Sequence, residues 1–160
     1  MVQVKEGIRL GLLNLHDAFL NASLMKKQME IAPIEADPTR FHASDRARSE
    51  RLWVALLAVL IEAWDAKESK SIRNYIASVT PTTDLVDLLR QAKRSGRYDK
   101  ILKCRHYAAH RGKKAYWDDG RLAPIGELQF NLKLHEEFSK VLLTAMRSIS
   151  PTMIGANAAI

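Results

Sequence analysis

Almost every apolar residue in this 160-residue chain recurs at helical spacing, and no segment alternates apolar and polar residues between turn signals. Strands therefore have no pattern from which to form, and the chain is expected to be all-α. The longest wholly apolar run is Leu52 to Ile61, LWVALLAVLI, held between Arg51 and Glu62. Ten residues are about half of what a membrane crossing requires, so the run is read as the body of a core helix. The N-terminus carries Lys5, Glu6, Arg9 and Asp17 among its hydrophobic residues, which supports neither a signal peptide nor a membrane anchor.

Punctuation divides the pattern into six helices. A first helix is expected from Val4 to Met29, with Ile8, Leu12, Leu15, Phe19, Leu20, Leu24 and Met29 forming its inner stripe and Pro33 and Pro38 enforcing a break. A second should begin between Pro38 and Ser44 and run to Asp65, charged in its first half and apolar all round in its second. Ser69 to Val79 and Leu85 to Arg94 give two short helices, with the Thr80–Asp84 cluster supplying a stop and then a cap. Arg97 to Arg111 forms the fifth, closed by Gly112. After the polar loop KKAYWDDGRLAPIG, Glu127 to Ser148 forms the last long helix. Three long helices, three short ones and brief connections describe an antiparallel helical bundle, one domain over residues 1–150. The tail 151–160, PTMIGANAAI, has no periodicity and is expected to be mobile.

Charge is distributed unevenly. Lys and Arg number 25 against 18 Asp and Glu, a net charge of +7. Between Arg90 and Arg121 there are eleven basic and three acidic residues, a net +8, so the remaining 128 residues sum to −1. A basic excess confined to one helix and one loop points to a phosphate-bearing partner there. The lone Cys104 excludes an intramolecular disulfide and a cysteine-based zinc site, which favours the reducing cytoplasm, and no cofactor motif occurs.

Arg105 lies at the centre of the apolar stripe Tyr98, Ile101, Leu102, Ala108, Ala109 and Gly112. An arginine in that position is either paired internally, with Glu62, Asp65 or Glu136 as candidate partners, or opens onto a cleft as an anion-recognition group. His106 and His110 share a flank of the same helix, about 100° and 140° from Arg105. Four-residue spacing can chelate a metal, but no nearby pattern offers a third ligand, and a histidine that titrates near neutrality suits acid–base chemistry better. Trp53 and Trp64 are expected in the core, Cys104 as a small filler, and His135-Glu136-Glu137 on a solvated face. Trp117 is either a base-stacking residue or a loop anchor, and neither His16 nor His42 has a supporting constellation.

The segment Arg105-His106-Tyr107-Ala108-Ala109-His110, followed by Arg111-Gly112-Lys113-Lys114 and one more long amphipathic helix, resembles the signature of the HEPN superfamily. Together with Trp53 and the stretch DAKESKSI, the region 45–147, roughly two thirds of the chain, resembles the HEPN proteins linked to bacterial abortive infection. The resemblance implies a metal-independent endoribonuclease, usually a homodimer with the Arg and His of both subunits lining one cleft, and a phage-defence or toxin role with a cognate antitoxin protein. In that scheme Arg105 binds the scissile phosphate, His110 takes the proton from the ribose 2′-hydroxyl and His106 orients one of these groups. Arg97, Lys103, Arg111, Lys113 and Lys114 would then bind the RNA backbone. Gly112 stands where some HEPN toxins carry a tyrosine modified by their antitoxin, so that mode of regulation is not implied. The superfamily also contains non-catalytic members, so an RNA-, nucleotide- or protein-binding module is the alternative.

Overall fold

The computed structural model describes residues 4–36, 44–109 and 125–149, with the backbone alone at 106–109 and 125–126. It is an all-α bundle of six helices, with no strand among the described residues. These are α1 (Glu6–Ile31), α2 (Asp45–Asp65), α3 (Lys70–Val79), α4 (Thr83–Arg94), α5 (Arg97–Ala109) and α6 (Ile125–Ile149), with a single 3₁₀ turn at Lys67–Ser69 before α3. The tail expected to be mobile lies outside the described residues.

The helix ends follow local chemistry. α1 stops at Ile31, two residues before Pro33, with Ala32 already extended because the residue preceding a proline is pushed out of the helical region. At the start of α2 the Ser44 hydroxyl accepts a hydrogen bond from the Ala47 amide at 3.2 Å, and Asp45 adds a negative charge where the helix dipole is positive. The expected side-chain cap before α4 is not made: Thr82 precedes the helix without such a bond. α4 ends at Ser95-Gly96, where Gly96 takes φ +73°, a left-handed conformation that any side chain would strain.

α1 and α2 lie antiparallel, since Arg46 at the start of α2 donates to the Met29 carbonyl at the end of α1, 3.3 Å away. α5 packs on the other flank of α2, and α6 packs against α1, α3 and α4. Trp53, Leu57, Leu60 and Ile61 of α2 are fully buried among Leu12 of α1, Ile76 of α3, Leu85 of α4 and Leu134, Phe138 and Leu142 of α6. Trp64 meets Phe138 edge to face at 5.7 Å, a preferred aromatic geometry. α1 and α3 cross closely at Gly11, where a Cβ would collide with Ile72 Cδ1.

Three expectations are corrected. Leu20 and Leu24 do not join the core stripe of α1; they face solvent, about half exposed, while Ala22 is buried. The second half of α2 is not buried all round, because Leu52 and Val59 lie on the side turned away from the bundle. His135 and Glu137 are not on a solvated face: both are buried, since α6 is enclosed on more than one flank.

Candidate functional site: the seam between α2 and α5

The end of α2 presents two carboxylates, Glu62 and Asp65, one helical turn apart and therefore on one face. α5 runs alongside and presents Tyr98 and Arg105, two turns apart. Helical side chains lean toward the N-terminus, which carries the Arg105 guanidinium back along α5 toward α2. There its Nη1 is ion-paired with Glu62. The Arg105 side chain keeps 49% of its surface in solvent and Glu62 keeps 38%, so this is a surface pair and not a buried one. Of the three carboxylates considered for Arg105, Glu62 is the partner. Asp65 serves other donors, and Glu136 pairs with Lys140 at 3.1 Å.

Asp65 is the second node. Tyr98 donates its phenol to Asp65 Oδ2 at 2.8 Å, and Lys93, reaching over from α4, places Nζ 2.8 Å from the same oxygen. The Lys93 ammonium also lies 5.0 Å from the Tyr98 ring centroid, within cation–π range. Burial and the neighbouring Asp65 charge hold the Tyr98 phenol in its protonated form, pushing its pKa up to about 12. The seam thus alternates acid and base across three helices, α2, α4 and α5, with Tyr98 as a neutral donor between them.

The other sequence-derived residues are distributed differently. Arg97 is turned toward α6, 3.2 Å from Glu127 and with its guanidinium 5.0 Å from the Phe130 ring centroid. Lys100 shares Glu127 at 3.4 Å. Lys103 is exposed on α5, about 160° round the helix from Arg105, so the two do not face the same surface. His106 lies on α5 by its backbone, while His110, Arg111, Lys113, Lys114, Tyr116 and Trp117 fall outside the described residues. Cys104 is half-buried against the core, and desolvation with the nearby Glu50 charge raises its thiol to about 11, which disfavours the reactive thiolate. Among the described residues no three His, Cys, Asp or Glu side chains converge where a metal ion could sit, and no helix is long and apolar enough to cross a membrane.

Sequence reasoning missed Lys93, Asp65 and Tyr98 as a unit. The available signal was the i, i+3 pairing of Glu62 with Asp65 opposite a stripe carrying both Tyr98 and Arg105. It also missed His135, which accepts the Trp53 indole N–H on Nδ1 at 3.3 Å and contacts Ser23 Oγ through Nε2 at 3.1 Å.

A comparison of the chain with protein-family models finds none that matches, and a search of curated proteins and of solved structures likewise finds no match.

Proposed function

We propose that the chain is a metal-independent endoribonuclease of the HEPN type, working as a cytoplasmic homodimer in phage defence and held in check by a cognate antitoxin protein. The observation that carries this reading is the setting of Arg105, whose guanidinium sits half exposed and already seated on an oxyanion, Glu62, in the middle of the most basic part of the sequence. A planar donor fork at a solvent-open seam suits the recognition of a phosphodiester.

In the reaction, His110 removes the proton from a ribose 2′-hydroxyl and the freed oxygen attacks the adjacent phosphorus. The bond to the 5′ oxygen breaks, and that oxygen takes up a proton, leaving a 2′,3′-cyclic phosphate and a 5′-hydroxyl. Arg105 stabilises the charge that builds on the phosphorane oxygens, and His106 orients the phosphate. Continued helical spacing would set Arg105 and His110 about 140° apart, and a composite site from two subunits would bring them together.

The test is cleavage of single-stranded RNA in the presence of EDTA, with cyclic phosphate ends on the products, and its loss in Arg105→Ala and His110→Ala proteins that still fold. Undiminished cleavage in both variants overturns the proposal. A second reading, that Arg105 only ties α5 to α2, is favoured by the Glu62 ion pair itself. It predicts that Arg105→Ala costs several kcal/mol of stability.

A further inference from the structure

We propose that the seam between α2 and α5 is a two-phosphate track for single-stranded RNA, in which Lys93 and Tyr98 form a second phosphate subsite beside Arg105 and Glu62 and Asp65 hold the track closed on itself. The inference deepens the ribonuclease reading and rests on it.

Three observations lead to it. Each of these two carboxylates occupies donors suited to a phosphate oxygen: Glu62 takes Nη1 of Arg105, and Asp65 takes the Lys93 ammonium and the Tyr98 hydroxyl together. The two carboxylates stand at i, i+3, where Cβ atoms lie about 5–6 Å apart, comparable to the separation of neighbouring phosphates along a nucleic-acid strand. The charged members of the seam are reachable from solvent: Lys93 is about half exposed, Arg105 likewise, and Asp65 and Glu62 are partly exposed.

Charge completes the case. Within the seam two cations face two carboxylates, so the track is neutral when empty, although Lys93, Tyr98 and Arg105 belong to the most basic stretch of the sequence. An exposed ion pair is weak and exchanges readily. A strand bearing two successive phosphates offers Arg105 and Lys93 better acceptors than one carboxylate oxygen each, and releases counterions as it binds. Tyr98 stays protonated at every physiological pH and so remains a donor to whichever anion occupies the second subsite. The chemical class this selects is a single-stranded oligoribonucleotide, and a mononucleotide with one phosphate would fill only half of the track.

The experiment is fluorescence anisotropy of the full chain with a labelled single-stranded oligoribonucleotide carrying 2′-O-methyl groups, which block attack by the 2′ oxygen, over a range of salt concentrations. Glu62→Gln and Asp65→Asn are each expected to tighten binding by about fivefold, the upper worth of an exposed pair, because they keep an acceptor and remove the competing charge. Lys93→Gln is expected to weaken binding and to reduce the slope of log K against log salt by about 0.7, the share of one phosphate contact on a single strand. Melting curves confirm that each variant folds. If Lys93→Gln leaves affinity and salt slope unchanged while Arg105→Ala lowers both, the second subsite is wrong and the ribonuclease reading survives. If Arg105→Ala also changes neither, the parent reading falls with it. Looser binding in both folded carboxylate variants would show that Glu62 and Asp65 position the cations instead of competing for them, and would overturn the closed track.

Discussion

Trp53 of α2 and His135 of α6 are joined inside the bundle by an indole N–H donated to Nδ1 at 3.3 Å. Because Nδ1 accepts, the ring proton of neutral His135 must lie on Nε2, which donates to Ser23 Oγ at 3.1 Å, and Ser23 in turn donates to the Phe19 carbonyl at 2.9 Å. The Phe19 ring lies 5.0 Å from the imidazole. One directed chain of hydrogen bonds thereby ties α1, α2 and α6.

That chain makes stability depend on acid. Burial, with Lys26 nearby and only partly countered by Glu30, lowers the His135 pKa to about 4 from its ordinary 6.5. The unfolded chain therefore takes up this proton first as the pH falls. The contribution is fully present above about pH 6.5 and is lost as the pH drops toward 4, amounting to roughly 3 kcal/mol. Urea denaturation across that window should show the decline, and His135→Leu should flatten it while costing about 1–3 kcal/mol at neutral pH through the orphaned Trp53 and Ser23 groups. Nitrogen chemical shifts of His135 typical of the Nδ1–H tautomer would contradict the arrangement.

Arg105→Ala should lower stability by no more than about 1 kcal/mol, because its partner Glu62 and the arginine itself are both substantially exposed. A loss of several kcal/mol on chemical denaturation would instead mark Arg105 as a structural tie and favour the second reading.

Tyr98 should be silent in a phenolate absorbance titration until about pH 12, well after an ordinary tyrosine has ionised. Since its folded pKa is raised, the unfolded chain loses that proton first, and the tie to Asp65 contributes stability that wanes as the pH climbs from about 10 to 12. The difference spectrum between the parent protein and Tyr98→Phe isolates this group. A step near pH 10 in that difference would disprove the Asp65 contact.

Cys104 should resist a thiol reagent at mild alkaline pH in the native protein and react promptly once the chain is unfolded, as its thiol is raised to about 11 by burial and the Glu50 charge. Native and denatured rates that agree would show that the side chain is not enclosed by the bundle.

Gly7 and Gly11 should respond to alanine in opposite directions. Gly7 has open space where a Cβ would go, so Gly7→Ala gains helix propensity, about 0.5–1 kcal/mol. Gly11→Ala drives its new methyl group into buried Ile72 and should cost about 1 kcal/mol net, overpacking outweighing propensity. Equal stabilisation of both variants by thermal melting would mean that α1 and α3 do not approach as closely as described.

Much of the architecture was legible from patterns that are local in origin. The number of helices, the Pro33 and Gly96 breaks and the burial of Trp53, Trp64 and Phe138 follow from apolar period and backbone chemistry, which act within a few residues. Which side of a helix would be enclosed was less legible. Leu20 and Leu24 continue the apolar pattern of α1 yet face outward, whereas His135 and Glu137 look polar and are buried, because enclosure depends on how many neighbours a helix has. The sequence by itself determined an all-helical chain with its positive charge concentrated around Arg105, and it offered Glu62 among the candidate partners of that arginine. Only the tertiary structure decided that Glu62 takes the guanidinium while Asp65 is shared by Lys93 and Tyr98. The reason is range: helix formation is settled by neighbours along the chain, but a seam of ion pairs between α2, α4 and α5 exists only once packing has brought residues some thirty to forty positions apart within a few ångströms.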